Sequence, residues 1–174
     1  MNGECAFGME IAEDRSRCAI AKAWRERVAA VPQAPGLMAV KVVWHGPPPI
    51  APTVMDALYV ADDPVEVALD PRSQSSTLCH QLAELGIIVK RLGPEDVAVA
   101  HGEFLDLAGT GHLKHFNQPG LTAAVRGAQQ RPLAGARALE RRVVTDQSPL
   151  TSAEFAVHAF LRWEEVSSPG VYVV

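Results

Sequence analysis

The stretch CAFGMEIAEDRSRCAIAKAW, Cys5 to Trp24, frames the reading of the whole chain. Two short apolar runs, CAFGMEI (Cys5–Ile11) and CAIAKAW (Cys18–Trp24), flank a polar segment, AEDRSR (Ala12–Arg17). That pattern predicts two strands joined by a tight turn. Ala29 to Leu37 holds two prolines and a glycine and reads as a loop. Met38 to Trp44, MAVKVVW, then predicts a third strand that ends at His45-Gly46. The connections are too short for crossover helices, so the three strands should form an antiparallel meander.

Beyond the meander the rhythm changes. Pro47-Pro48-Pro49 is a stiff break. Thr53 is placed to cap a helix to about Ala61, with Val54, Ala57, Leu58 and Ala61 at helical spacing. Val65 to Leu69 reads as a strand that ends at Asp70-Pro71. Ser75 or Ser76 should cap a helix with Leu78, Leu82 and Leu85 on one face, stopped by Gly86. Ile87 to Lys90 reads as a strand, Pro94 opens a helix to Gly109, and Leu113 to Phe116 is a short extended piece. Pro119 starts a small helix to about Gln129. Arg131-Pro132 follows, and then a strand-like stretch, Ala136 to Val143. Ser148-Pro149 opens a last helix to about Arg162. A single α/β (α+β) domain over residues 1–166, with a tail at 167–174, is expected. Its mixed central sheet is an antiparallel meander followed by alternating helices and strands, which is the order of a ribonuclease H-like fold.

Bulk properties fit that size. The chain has 174 residues, 48% hydrophobic and 21% charged, enough for one core without staples. No apolar run is long enough to span a membrane, and the N-terminus has no basic region followed by an apolar stretch, so a cytoplasmic protein is expected. Cys5, Cys18 and Cys79 form no C-x-x-C pair and read as small buried residues. The net charge of −4 does not advertise nucleic-acid binding, although a local basic stripe would suffice.

Three acids stand at element edges. Glu10 lies inside the first apolar strand, where a lone charge is costly unless it meets a cation such as Arg15 or Arg141, or a polar site. Asp70 follows an apolar strand at its carboxyl end, where open α/β sheets place ligands. Asp146 precedes the last helix. Together they would suit hard divalent cations, which take oxygen ligands. Each also has an ordinary reading: a turn residue at Asp70, a helix-terminal acid at Asp146, and an ion pair at Glu10. His112 and His115 show H-x-x-H spacing without a third ligand and read as ordinary histidines. Glu103 and Asp106, three apart on one helix, read as a solvated face.

The stretch from Val67 to Leu133 resembles the nuclease domain of phage terminase large subunits of actinobacterial phages and prophages. So do FGMEIAEDRSRCAIAKAW at the front and ALERRVVTDQSPLTSAEFAVHAF near the end. The most telling pieces are Asp70-Pro71-Arg72-Ser73, Gly102-Glu103-Phe104, and Asp146 followed by Ser148-Pro149-Leu150. The resemblance implies a ribonuclease H-like endonuclease that cuts double-stranded DNA during genome packaging, using two divalent ions, Mg²⁺ or Mn²⁺. Glu10, Asp70 and Asp146 match the family's catalytic, metal-binding acids. Glu10 stands where aspartate is usual and is one methylene longer.

The resemblance further implies double-stranded DNA as partner, with a separate terminase ATPase, small terminase subunit and portal, no membrane, and the host bacterial cytoplasm as the setting. Candidate contacts to the DNA backbone are Arg72, Lys90, Arg91, Lys114, Arg126 and Arg131. The chain has no G-x-x-x-x-G-K-[ST] loop, so it reads as an excised nuclease domain, a split gene product or a prophage remnant. Two alternatives remain. One is a catalytically silent DNA-binding or assembly module from a decayed prophage terminase gene. The other is a different ribonuclease H-like nuclease, such as a resolvase or transposase core.

Overall fold

Alternation along the first strand decides what each side of the sheet must be. The structure is a computed structural model that describes residues 4–26 and 36–167. In β1 (Cys5–Ile11) the side chains of Cys5, Phe7, Met9 and Ile11 join one apolar cluster. Ala6 joins a second cluster on the opposite face, which Gly8 and Glu10 share by alternation. β2 (Cys18–Glu26) and β3 (Leu37–Gly46) complete the expected antiparallel meander. Most of the loop expected at 29–37 lies outside the described residues, as does the expected tail beyond Ser167.

On the other side of β1 the pairing turns parallel. β4 (Glu66–Leu69) pairs parallel with β1, and β5 (Val89–Arg91) pairs parallel with β4. The short β6 (Leu113–Lys114) adds to β3, giving the order β5-β4-β1-β2-β3-β6. This mixed sheet is the expected ribonuclease H-like arrangement.

Two helical layers cover it. α1 (Ala51–Asp62) and α2 (Ser76–Glu84) bury Ala51, Met55, Leu78 and Leu82 against the face of Phe7 and Met9. The proline run does not delay α1 to Thr53: Pro48–Ile50 forms a 3₁₀ turn, and the helix starts at Ala51. Pro52 is tolerated there because the first helical turn has no use for its missing N–H.

The other face receives α3 (Pro94–Gly109), α4 (Pro119–Gly127) and α5 (Ser148–Ser167). α5 is the central element of that layer, with Phe155 and Phe160 buried in the cluster. Transfer of each ring from water contributes roughly 1.5–3 kcal/mol. α5 reaches this depth because β1 carries no side chain at Gly8, where a Cβ would stand 2.1 Å from the Ser152 carbonyl oxygen.

Apart from the central sheet, β7 (Gln130–Leu133) and β8 (Ala136–Leu139) form a separate antiparallel hairpin, with Pro132 inside the first strand. A two-stranded ribbon has only edges, so Pro132 need not donate to a ladder. Two local expectations need correction. The strand expected up to Val143 stops at Leu139, and the chain leaves as an irregular segment over 140–147. Glu103 is also not part of a solvated face. It pairs with His158 Nδ1 at 2.8 Å and with Arg162, both on α5, whereas Asp106 is exposed. Among the described residues no helix is long and apolar enough to cross a membrane.

Candidate active site

Strand register brings the first two acids together. β1 and β4 are aligned Ala6 with Glu66, Phe7 with Val67 and Gly8 with Ala68. Carried two residues further, the same register sets Glu10 beside Asp70. Alternation puts both on the α5 side of the sheet. Glu10 is 2% exposed and Asp70 4%.

Sequence after β4 supplies the partners. Ser75 is the N-cap residue of α2, but its hydroxyl makes no capping bond. It accepts the Ile11 amide at 2.8 Å and donates to Glu10 Oε2 at 3.0 Å. Ser73 Oγ donates to the same oxygen at 3.1 Å. The turn at Asp70 is closed by the Arg72 amide donating to Asp70 Oδ1 at 2.8 Å. The ordinary turn reading of Asp70 thus holds, and the turn orients the carboxylate.

The charge that meets Glu10 is Arg141; Arg15 instead bonds Gln74. Arg141 Nη2 donates to Asp70 Oδ2 at 3.0 Å, and its Nε lies 3.3 Å from Glu10 Oε1. One guanidinium therefore bridges two buried carboxylates. Burial drives the Glu10 carboxyl up to about 7, against the opposing pull of Arg141 and the two serine hydroxyls. For Arg141 burial works against the charged form, yet the carboxylates of Glu10 and Asp70 outweigh it and raise its pKa.

Asp146 is held differently. Its Oδ2 lies 2.8 Å from His45 Nε2, and its Oδ1 accepts the Ser148 amide at 2.8 Å at the start of α5. Burial opposes the Asp146 carboxylate, but the His45 and Ser148 bonds prevail and hold it below its ordinary value. Asp146 shares with Arg141 the wall of a cavity of about 240 Å³. Glu10 and Asp70 are thus gathered, and Asp146 stands apart, turned to the end of β3. Among the described residues no three His, Cys, Asp or Glu side chains come together to hold a metal ion.

Donor chemistry still suits one hard cation at the first pair. Glu10 Oε1 is buried and receives no hydrogen bond, so it is an orphaned anionic acceptor beside a second carboxylate. Mg²⁺ or Mn²⁺ can be held by one or two carboxylates completed by water and phosphate.

The pair lies beside a larger cavity, about 460 Å³, lined by Arg72, Arg131, Arg141 and Arg142 together with Glu13, Glu140, Ser73 and Gln74. Of the six basic residues singled out in the sequence, only Arg72 and Arg131 reach this wall. Lys90 and Arg91 lie exposed on edge strand β5, Arg126 ends α4, and Lys114 pairs with Glu26 at 2.6 Å. His112 and His115 are exposed and gather no ligand set. Arg142 and His45 were missed. Arg142's signal was its place next to Arg141 in a polar run, and His45's was its place at the end of β3.

A mixed sheet with this order, acids at the ends of β1 and β4, and a long helix over the acidic face defines a domain of ribonuclease H-like fold. Comparison with known proteins narrows the architecture further. No protein-family model matches the chain, and no curated protein matches it in sequence. Among solved structures, the HK97 bacteriophage large terminase superposes with a TM-score of 0.65 at 13% identity, over 91% of this chain and 40% of that one. The large terminase nuclease from thermophilic phage G20c gives 0.65 at 10% identity, over 88% and 80%. The Thermus phage P74-26 large terminase nuclease domain gives 0.57 at 11%, over 98% and 84%. The chain thus has the fold of phage large terminase nuclease domains and spans 40% of the length of the HK97 protein.

Proposed function

We propose that this chain is a divalent-metal-dependent nuclease domain that cleaves double-stranded DNA in phage genome packaging. The observation that carries the reading is the buried Glu10–Asp70 pair at the ends of two parallel strands, beside a cavity walled by four arginines. Anionic ligands suit a cation, and the arginine wall suits phosphate, so the two halves match a phosphodiester with its metal. A metal bound there would lower the pKa of a bound water and stabilise charge at the leaving oxygen.

In this reading Glu10 and Asp70 hold the metal. Ser73 and Ser75 orient Glu10 by occupying Oε2 and leaving Oε1 without a hydrogen bond, faced only by the charge of Arg141. Arg72 and Arg131 hold the DNA backbone, a contact that positions without reading sequence. Asp146 is proposed as a third acid, with His45 keeping it ionised. The domain is proposed to span residues 1–166 and to work beside an ATPase, small terminase subunit and portal in the host cytoplasm. The fold shared with phage terminase nucleases supports this setting.

Plasmid nicking with Mn²⁺ tests the reading. Asp70→Asn keeps the shape and removes the charge, and it should lower cleavage by at least about a hundredfold, the scale on which loss of a key electrostatic group acts. An Asp70→Asn protein that nicks at the wild-type rate would falsify the proposal. One observation favours the silent DNA-binding module: the carboxylates already have a cation in Arg141.

A further inference from the structure

Resting on the nuclease reading, we propose that Arg141 is an internal counter-cation that competes with divalent metal for Glu10 and Asp70. On this view it yields the pair when a DNA phosphate draws its guanidinium into the arginine-walled cavity. Metal and DNA binding are then coupled through one side chain.

The reason starts with the pair itself. Two neighbouring carboxylates almost without solvent cannot both stay ionised unless a cation lies between them. Arg141 fills that place, with Nε toward Glu10 and Nη2 toward Asp70. A metal bound to the same oxygens and the guanidinium in its present position are mutually exclusive, because both need Glu10 Oε1 and Asp70 Oδ2.

The hold is incomplete. Glu10 Oε1 takes only the charge of Nε and no hydrogen bond. Arg141 Nη1 makes no hydrogen bond among the described residues, and the side chain already walls both cavities. Such an arginine binds neither acid fork to fork and keeps donors unused, and planar guanidinium is well suited to phosphate.

Its carrier is held by side chains rather than by a backbone ladder. Arg141 lies in the irregular segment between β8 and α5. No backbone–backbone hydrogen bond outside helices and strands involves residues 141–146 among those described. The neighbouring Arg142 is 83% exposed at its side chain, and its Nε lies 3.4 Å from Glu13 on the cavity wall. A phosphate in that cavity would meet Arg72, Arg131 and Arg142 as well as Arg141, whose charges outnumber those of Glu13 and Glu140 on the same wall. By linkage, a ligand that draws Arg141 off the pair must strengthen metal binding, and metal must strengthen DNA binding equally.

Isothermal titration with Mn²⁺ in the absence of DNA tests the competition. Arg141→Gln should bind Mn²⁺ about tenfold more tightly than wild type, the usual scale of coupling between two binding events. Should loss of the cation prevent folding, Arg141→Lys keeps a buried charge but cannot bridge both carboxylates, and it should show a smaller gain. Anisotropy of a labelled duplex, with Ca²⁺ and with EDTA, reads the coupling: Ca²⁺ should tighten DNA binding less in Arg141→Gln than in wild type. Mn²⁺ affinity unchanged or weaker in both variants overturns the proposal. Tighter Mn²⁺ binding by Arg141→Gln without DNA cleavage by any form supports the competition and refutes the nuclease reading. Cleaving protein in which neither variant gains Mn²⁺ affinity does the reverse.

Discussion

Glu10 and Glu154 are equally buried, at 2% exposure, and both feel the charge of Arg141, yet their direct partners differ. Glu154 sits on α5 and meets His101 of α3 at 2.9 Å. With the Gln130 amide nitrogen donating to His101 Nε2 at 2.9 Å, the ring proton lies on Nδ1 and is donated to Glu154. That chain ties α5, α3 and β7 together. Glu10 instead shares its place with a second carboxylate, an arginine and an arginine-walled cavity. Burial raises both carboxyls, so a raised pKa alone does not separate a site from a brace. The separation comes from what the acid shares and what it opens onto.

The largest effect expected from this contrast is on stability. Glu154→Ala leaves His101 buried without its acceptor and should cost about 3 kcal/mol in denaturant unfolding. Mn²⁺ affinity of the folded fraction should stay at the wild-type value. If calorimetry shows metal affinity falling along with stability, Glu154 belongs to the site and the contrast fails.

An effect of similar size is expected in pH dependence. Glu10 moves from an ordinary 4.5 to about 7 in the folded chain, chiefly through burial. Between those values the folded chain holds a proton that the unfolded chain has released, so metal-free stability should fall as pH rises through the window and level off above it. The drop should be about 3 kcal/mol, and Glu10→Gln should flatten it. Metal requires the ionised carboxylate, so Mn²⁺ should raise the melting temperature at pH 8 and leave it unchanged at pH 5. Glu154→Gln should retain that metal response. A response lost in Glu154→Gln and kept in Glu10→Gln would invert the assignment.

The smallest effects distinguish the two groups of basic residues. Arg131→Ala should weaken duplex binding and reduce the salt slope by about 0.9, the share of one phosphate. Lys90→Ala and Arg126→Ala, away from the cavity wall, should change the affinity less than about twofold, because exposed charges away from the contact act only through a screened field. Equal losses at all three positions would place the DNA surface outside the cavity.

Much of this contrast was legible at the level of single residues and little of it at the level of pairs. An acid inside CAFGMEI is an anomaly that composition alone exposes, and Arg141 could be named as one of two cations able to answer it. The same anomaly stands in the last helix, LTSAEFAVHAF, but at Glu154 it is not legible, because one acid in a long amphipathic helix can normally turn to water. The hairpin β7–β8 was half seen, since Pro132 argues against a strand until the ribbon is known to have no interior.

By itself, the sequence determined the elements that rest on local periodicity and punctuation: the meander, the strand that ends at Asp70, the helix opened by Pro94, and the last helix opened by Ser148-Pro149. Apolar spacing and glycine and proline chemistry act over a few residues, so they can be read along the chain. Only the tertiary structure decided that Glu10 lies beside Asp70, that Asp146 turns to His45, and that Arg141 holds the first pair. Those outcomes depend on the parallel register of β1 with β4 and on an irregular segment folded back over both strand ends. Parallel register joins residues far apart in the chain through backbone bonds that carry no side-chain signature, and an arginine reaches whichever carboxylate the packing leaves without solvent.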